Sequence, residues 1–154
     1  MPLVYRLVRK KYTKRADLLA GEGAALVGGR WNEKGTRLVY ASSHVSLVTL
    51  EALVHASTLL KDMVLVSLDI PDSVVIGRWR ANALPRGWAE YPFRTATQKR
   101  GTAWARAGKA LAVWVPSAVV QSEWNCLLNP MHPDVKRVRA KVLGRFRFAP
   151  RLRP

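Results

Sequence analysis

Residues 36–41 alternate, with Leu38 and Tyr40 on one face and Arg37 and Val39 on the other, which predicts a short strand. Ser42 and Ser43 follow, and their hydroxyls are suited to cap a helix running to about Leu60. Residues 63–70 (MVLVSLDI) are rich in branched side chains and stop at Pro71, as a buried strand would. Residues 74–76 predict a second short strand. The Thr-x-x-Gln of TATQ at Thr95 has the form of a capping box and predicts a helix to about Ala107, although Gly101 weakens it. Residues 111–115 form an apolar strand closed by Pro116, and residues 141–148 alternate loosely with Phe146 and Phe148 on one face. Several strands, at least two helices and no regular βα repeat predict an α+β protein, a compact mixed sheet with helices.

A chain of 154 residues fits one domain, residues 1–154, and is long enough to bury roughly two-thirds of the surface it exposes when unfolded. No repeat, linker or low-complexity tract divides it. The single cysteine, Cys126, cannot form an internal disulfide, and the first twenty residues lack the apolar core of a secretory signal. The longest apolar run, residues 110–115, falls far short of the roughly 18 residues of a membrane span. The expectation is a soluble, cytoplasmic protein with no membrane partner.

Charge widens the range of partners. Lys and Arg number 26 against 10 Asp and Glu, giving a formal +16. Such a field favours nucleic acid, an acidic protein or a phosphorylated small ligand. The basic residues cluster at 6–15, 136–147 and 151–153, near the termini. Solvated faces and a partner surface account for them equally well.

Candidate chemistry lies in residues 28–55, where Arg30 on a glycine loop, Tyr40 on a strand and Glu51 and His55 on an apolar helix could share one pocket. Three of the four helical neighbours of Glu51 (Leu47, Val48 and Val54, with His55 the fourth) are apolar, and a carboxylate there is costly unless paired. From the helix pattern alone, a salt bridge to one of the many arginines accounts for Glu51 better than catalysis does. Arg30 follows Gly28 and Gly29, and an arginine fork on such a loop can grip a diphosphate or a ribose hydroxyl; an ordinary turn with an exposed arginine is the alternative. GEGAAL lacks the third glycine of a dinucleotide fingerprint, and no Walker A sequence is present. His44, His55 and His132 show no metal-ligand spacing, so no metal site is expected. Ser117 lies just past a strand end without a GxSxG context, which argues against a nucleophile. Asn129 and His132, each followed by proline, mark a turn-rich loop that could wall the same pocket.

GEGAALVGGRWNEKGTRLVYAS, LEALVH and VPSAVVQSEWNCLLNPMHPD, in that order, resemble the RES domain, named for its Arg, Glu and Ser residues, here Arg30, Glu51 and Ser117. The resemblance runs from Tyr5 and Arg6 to FRFAPRL; Thr102 and Ala149 stand where members often carry Asp. It implies a toxin of a bacterial type II toxin-antitoxin pair with a fold similar to the ADP-ribosyltransferase toxins. NAD is then the substrate, with no separate cofactor, cleaved by hydrolysis or phosphorolysis or used to ADP-ribosylate a protein. An antitoxin with a Xre-like DNA-binding domain blocks the pocket, so direct nucleic-acid binding is not expected of the toxin itself. The implied roles are Arg30 on the diphosphate or nicotinamide ribose, Tyr40 stacked on nicotinamide and Glu51 on the ribose hydroxyls. His55, Ser117 and Asn129 complete the binding shell. The alternative from the residues alone is a basic nucleic-acid-binding protein, motivated by +16 and six tryptophans.

Overall fold

The computed structural model describes residues 2–58 and 60–152. Among them one seven-stranded sheet forms from β1 (Leu3–Arg9), β2 (Val39–Ser42), β3 (Met63–Asp69), β4 (Gly77–Arg78), β5 (Ala112–Pro116), β6 (Trp124–Leu128) and β7 (Arg139–Phe146). Their order is β4-β5-β6-β2-β1-β3-β7, and only the β4–β5 pairing is parallel. Four α-helices accompany it: α1 (Arg15–Leu18), α2 (Glu22–Val27), α3 (Val45–Val54) and α4 (Thr95–Ala107). The protein is α+β, as its pattern of elements predicts.

The seam between β1 and β2 is the weakest pairing within the sheet interior. β1 pairs with β3 along its full length, from Leu3↔Asp69 to Arg9↔Met63, and β2 pairs fully with β6. Between β1 and β2 the only pair is Tyr5↔Ser42. A continued antiparallel ladder would set Arg6, Leu7 and Val8 opposite Ala41, Tyr40 and Val39. Those pairs do not form, so the strands part in the middle of the sheet. Helix α3 packs against both β1 and β2 and so bridges the seam.

The sequence hides β1 because Arg6 interrupts an otherwise apolar face whose other members, Val4 and Val8, are buried. Strand β6 is not among the strands predicted from sequence, yet Cys126, Leu127 and Leu128 are fully buried between β2 and β5. Burial also pushes the Cys126 thiol well above its ordinary range. Residues 74–76 are not a strand. Val74 closes a turn on the Pro71 carbonyl (3.0 Å), and the strand comes one residue later, beside Val113 and Trp114.

Neither predicted helix cap forms. Ser42 ends β2 and donates to Asn125 Oδ1 (2.7 Å), Ser43 Oγ lies 2.9 Å from His44 Nδ1, and the N-cap of α3 is His44 without a side-chain bond. The helix also stops at Val54 rather than near Leu60, where Ala56 N–H closes the last turn on the Leu53 carbonyl (3.2 Å). In α4 the N-cap is Arg94, and Thr95 is already helical, so its hydroxyl cannot take the capping position. The last strand starts and ends two residues earlier than predicted; Phe146 and Phe148 still meet edge to face at 5.1 Å.

Three apolar clusters hold these elements. One joins Trp31, Leu38, Val113, Val115, Leu127 and Ala105 of α4, with Trp79, Trp88 and Trp104 packed against it. Trp114 packs on the main core, and Trp124 lies under Arg78 at 4.4 Å. The tryptophans therefore serve packing rather than forming an exposed stacking face, which removes half the motive for a nucleic-acid-binding reading.

Candidate active site

A cavity of about 510 Å³ opens where β1 and β2 part, within the range of small-molecule sites. Its lining includes Arg30, Tyr40, Glu51 and His55 together with Arg6, Trp31, Phe93 and Asn125. Four residues predicted from sequence thus meet in one place. They come from the glycine loop, β2, α3 and the C-cap of α3.

Among the described residues no cation lies at ion-pair distance from Glu51, and its side-chain hydrogen-bond partners are neutral. Ser117 Oγ and Asn125 Nδ2 each donate to Oε1 at 2.7 Å. Both bonds end on the same oxygen and restrict the orientation of the carboxylate, while the Arg30 charge acts on it from beyond contact distance. Ser117 is fully buried, and its hydroxyl also accepts from Val119 N–H and Val120 N–H, both at 3.0 Å. One donor and two acceptor sites are all a hydroxyl offers, so Ser117 has none left for a ligand. It sits behind Glu51, off the cavity lining, whereas the resemblance places it in the substrate-binding shell. Asn125 is the residue that sequence reading missed. Its own amide is held by Ser42, and the signal was present: an asparagine in an otherwise apolar strand must have a partner.

Tyr40 ties the glycine loop to β2. Its hydroxyl donates to Asn32 Oδ1 (2.6 Å) and accepts from Trp31 N–H (3.0 Å). Asn32 is fully buried and donates to the Ala24 and Thr36 carbonyls at 2.8 and 3.1 Å. Burial raises the Tyr40 phenol far above its ordinary range, against smaller lowering effects of the Trp31 bond and Arg30, so it stays a neutral donor. A Cβ on Gly29 would lie 2.7 Å from this hydroxyl, which explains the glycine there. Tyr40→Phe keeps the ring but strands the Trp31 N–H and the Asn32 oxygen. It is expected to cost about 1–3 kcal/mol in a denaturant melt.

Arg30 Nη1 donates to the Trp88 and Glu90 carbonyls at 2.8 and 2.7 Å, and its guanidinium lies 5.5 Å from the Phe93 ring. Burial lowers its pKa, while the charges of Glu51 and Tyr40 work the other way. His55 is exposed at the cavity rim, 6.1 Å from the Tyr91 ring. Asn129 stands apart from the cavity. It is fully buried and braces α4, donating to the Ala105 carbonyl (2.9 Å) and accepting from Met131 N–H (3.1 Å), so the expected binding role has no geometric support. Thr102 accepts from Glu33 N–H at 3.0 Å and steadies the same glycine loop. Most of the basic residues of the terminal runs are exposed; Arg6, which lines the cavity, is partly buried.

A RES domain model matches residues 3–149. The "Prs ADP-ribosylating toxin" of a Sphingobium species is 36% identical over 152 residues, 96% of this chain and 94% of that protein. "Toxin Res" of Yersinia enterocolitica is 36% identical over 154 residues, 98% and 99% of the two chains. "Toxin Res" of Photorhabdus laumondii is 40% identical over 134 residues, 86% and 84%. Among solved structures, a chain of the M. tuberculosis MbcT-MbcA toxin-antitoxin complex has the same fold, with a TM-score of 0.68 and 18% identity across 97% of this chain and 85% of that one. With the family model spanning nearly every residue and relatives matching end to end, this chain belongs to the RES domain family.

Proposed function

We propose that this chain is the toxin of a bacterial toxin-antitoxin pair and that it cleaves the nicotinamide–ribose bond of NAD in the cytoplasm. The observation that carries the reading is the Glu51 carboxylate, held by Ser117 and Asn125 through one oxygen and with no cation at ion-pair distance among the described residues, in a cavity with Tyr40 and Arg30. Nicotinamide is a cationic leaving group in the ground state; the C1′–N bond breaks with its electron pair going to the ring, and positive charge develops on the ribose. A fixed carboxylate stabilises that oxocarbenium-like state. Glu51 Oε2, which takes neither of the two bonds, accepts from a ribose hydroxyl. Tyr40 offers its ring to nicotinamide, Arg30 holds the adjoining ribose or phosphate, and His55 supports the ribose from the rim. Water or phosphate then adds to C1′ and loses its proton.

A second reading, transfer of ADP-ribose to a protein, is favoured by the name of the Sphingobium relative. The partner in either case is an antitoxin of the Xre type that covers the cavity. Leu26, Val27 and Tyr91 are 77%, 72% and 75% exposed, and Val27 lies on the cavity lining, as an apolar rim for such a partner requires. No helix among the described residues is long and apolar enough to cross a membrane.

The NAD content of cells expressing the chain separates the readings. A collapsed pool supports hydrolysis or phosphorolysis; an intact pool with ADP-ribosylated protein supports the second; neither change, with folded protein present, rejects both. Ser117→Ala should reduce kcat about tenfold or more with a smaller change in KM, because it frees the Glu51 carboxylate without removing it. A change confined to KM would instead mean that Ser117 touches substrate.

A further inference from the structure

We infer that the adjoining ends of β1, β3 and β7 form a nucleic-acid docking surface, a basic trough that takes the phosphate backbone whatever the base sequence. It is a second binding surface beside the cavity. It also runs against the resemblance, which implies no direct nucleic-acid contact by the toxin itself.

The sheet register brings together three stretches that are far apart in the chain. Arg9 of β1 pairs with Met63 of β3, and Met63 pairs with Phe146 of β7. Lys10 N–H donates to the Asp62 carbonyl at 2.9 Å, which ties the turn after β1 to the start of β3. Two troughs share Asp62. Arg9, Lys10 and Lys11 line one of about 550 Å³, and Lys61, Arg145 and Arg147 line the other, of about 300 Å³. All six cations are exposed, and Asp62 is the one carboxylate on either lining. Its contact with Arg145, long at 3.9 Å, is the one ion pair of the group among the described residues. Six like charges gathered around one carboxylate repel one another in the free protein. None of the six side chains has a hydrogen-bond partner among the described residues, so packing does not account for the gathering.

The make-up of the surface selects the partner. A protein interface has an apolar centre. Here no apolar residue on either lining is exposed; Met63 and Phe148 are 7% and 6% exposed and pack with Leu53. Nucleic-acid interfaces are instead more polar and far more positive, and their affinity comes largely from lysine and arginine on phosphates. Arg139 and Lys141, both exposed, continue the charge along β7, the outermost strand. Strand β3 lies between that edge and the β1–β2 seam, and none of the six cations lines the cavity there.

Fluorescence anisotropy of a short labelled DNA duplex of mixed sequence, titrated over a range of salt, tests this with three proteins. One is the wild type, and the second carries Lys10→Gln, Lys11→Gln, Lys61→Gln and Arg147→Gln. The third loses the same charge at exposed positions outside both troughs, through Arg86→Gln, Lys99→Gln, Arg106→Gln and Lys109→Gln. The wild type should bind, with affinity falling steeply as salt rises. The trough variant should bind about 10–100-fold more weakly, with a log–log salt slope shallower by about 3–4, because each phosphate contact contributes about 0.9. The third protein should stay within about threefold of the wild type. Absence of wild-type binding at low salt overturns the inference, and so does equal weakening of both variants, which would make net charge rather than place the cause. Poly-glutamate that displaces the duplex at equal charge concentration would make the trough a dock for an acidic protein and overturns it as well. Should the fourfold trough variant fail to fold, Lys61→Gln with Arg147→Gln decides, with about half the change in slope. None of the eight substituted residues lines the cavity, so the outcome does not depend on whether NAD is cleaved there.

Discussion

Glu51→Gln is expected to lower nicotinamide release from NAD by about 10²–10³-fold while leaving the protein folded. The substitution is nearly isosteric, and a glutamine oxygen can still accept from Ser117 Oγ and Asn125 Nδ2 where Oε1 does now. What disappears is the negative charge that faces the developing cation on the ribose. The loss should therefore fall on kcat, with KM for NAD changed much less. Retention of more than a tenth of wild-type kcat would remove Glu51 from the chemistry and return it to the role of a half-buried polar residue that ties α3 to Ser117 and Asn125.

Gly101→Ala is the substitution expected to damage the fold most. In an isolated helix alanine is favoured over glycine by about 1 kcal/mol. Here a Cβ at position 101 would lie 1.6 Å from the Trp31 carbonyl oxygen and 2.6 Å from its carbon. Both are backbone atoms, so no rotamer change relieves the clash; either α4 or the loop carrying Arg30 has to move. Overpacking of this kind outweighs the propensity gain, and a net loss of about 2–3 kcal/mol is expected, lowering the melting temperature by roughly 4–12 °C. The displaced loop should also reduce activity, because Trp31 N–H is bonded to Tyr40 beside the cavity. A variant as stable as the wild type would show that α4 does not sit against the loop as described. The glycine that reads as a weak point of a predicted helix is thus what lets that helix approach the active-site loop.

The contrast between Gly101 and its sequence context shows what a chain's pattern can and cannot convey. Local periodicity was enough to find β2, α3, β3, α4 and β5, and residue type alone was enough to gather Arg30, Tyr40, Glu51 and His55 into one candidate pocket. Those features depend on neighbours within one or two turns. The parting of β1 and β2 depends on strands more than thirty residues apart, and no local signal marks where a ladder stops. Arg6 was counted with a basic run because a charged residue on a strand face looks like solvated surface until the opposite strand is seen to be missing. Ser117 and Asn125 were separable only by tracing hydrogen bonds: each is a polar residue near the end of an apolar strand, but one proves to stand behind the carboxylate and the other on the cavity lining. Asn129 has the same composition signal and a purely structural use under α4. The helix caps failed for a related reason. Ser42 had a better partner in Asn125, across the sheet, than in the backbone next to it.

On the proposed function, the cavity between β1 and β2 breaks the nicotinamide–ribose bond of NAD. Nicotinamide release by the purified chain, measured in water, in phosphate and in cell extract, tests it for all three classes of ADP-ribose acceptor at once. Release is expected in at least one of the three, and its loss in Glu51→Gln. Folded wild-type protein that releases nicotinamide in none of them, or a Glu51→Gln variant that releases it at the wild-type rate, contradicts it.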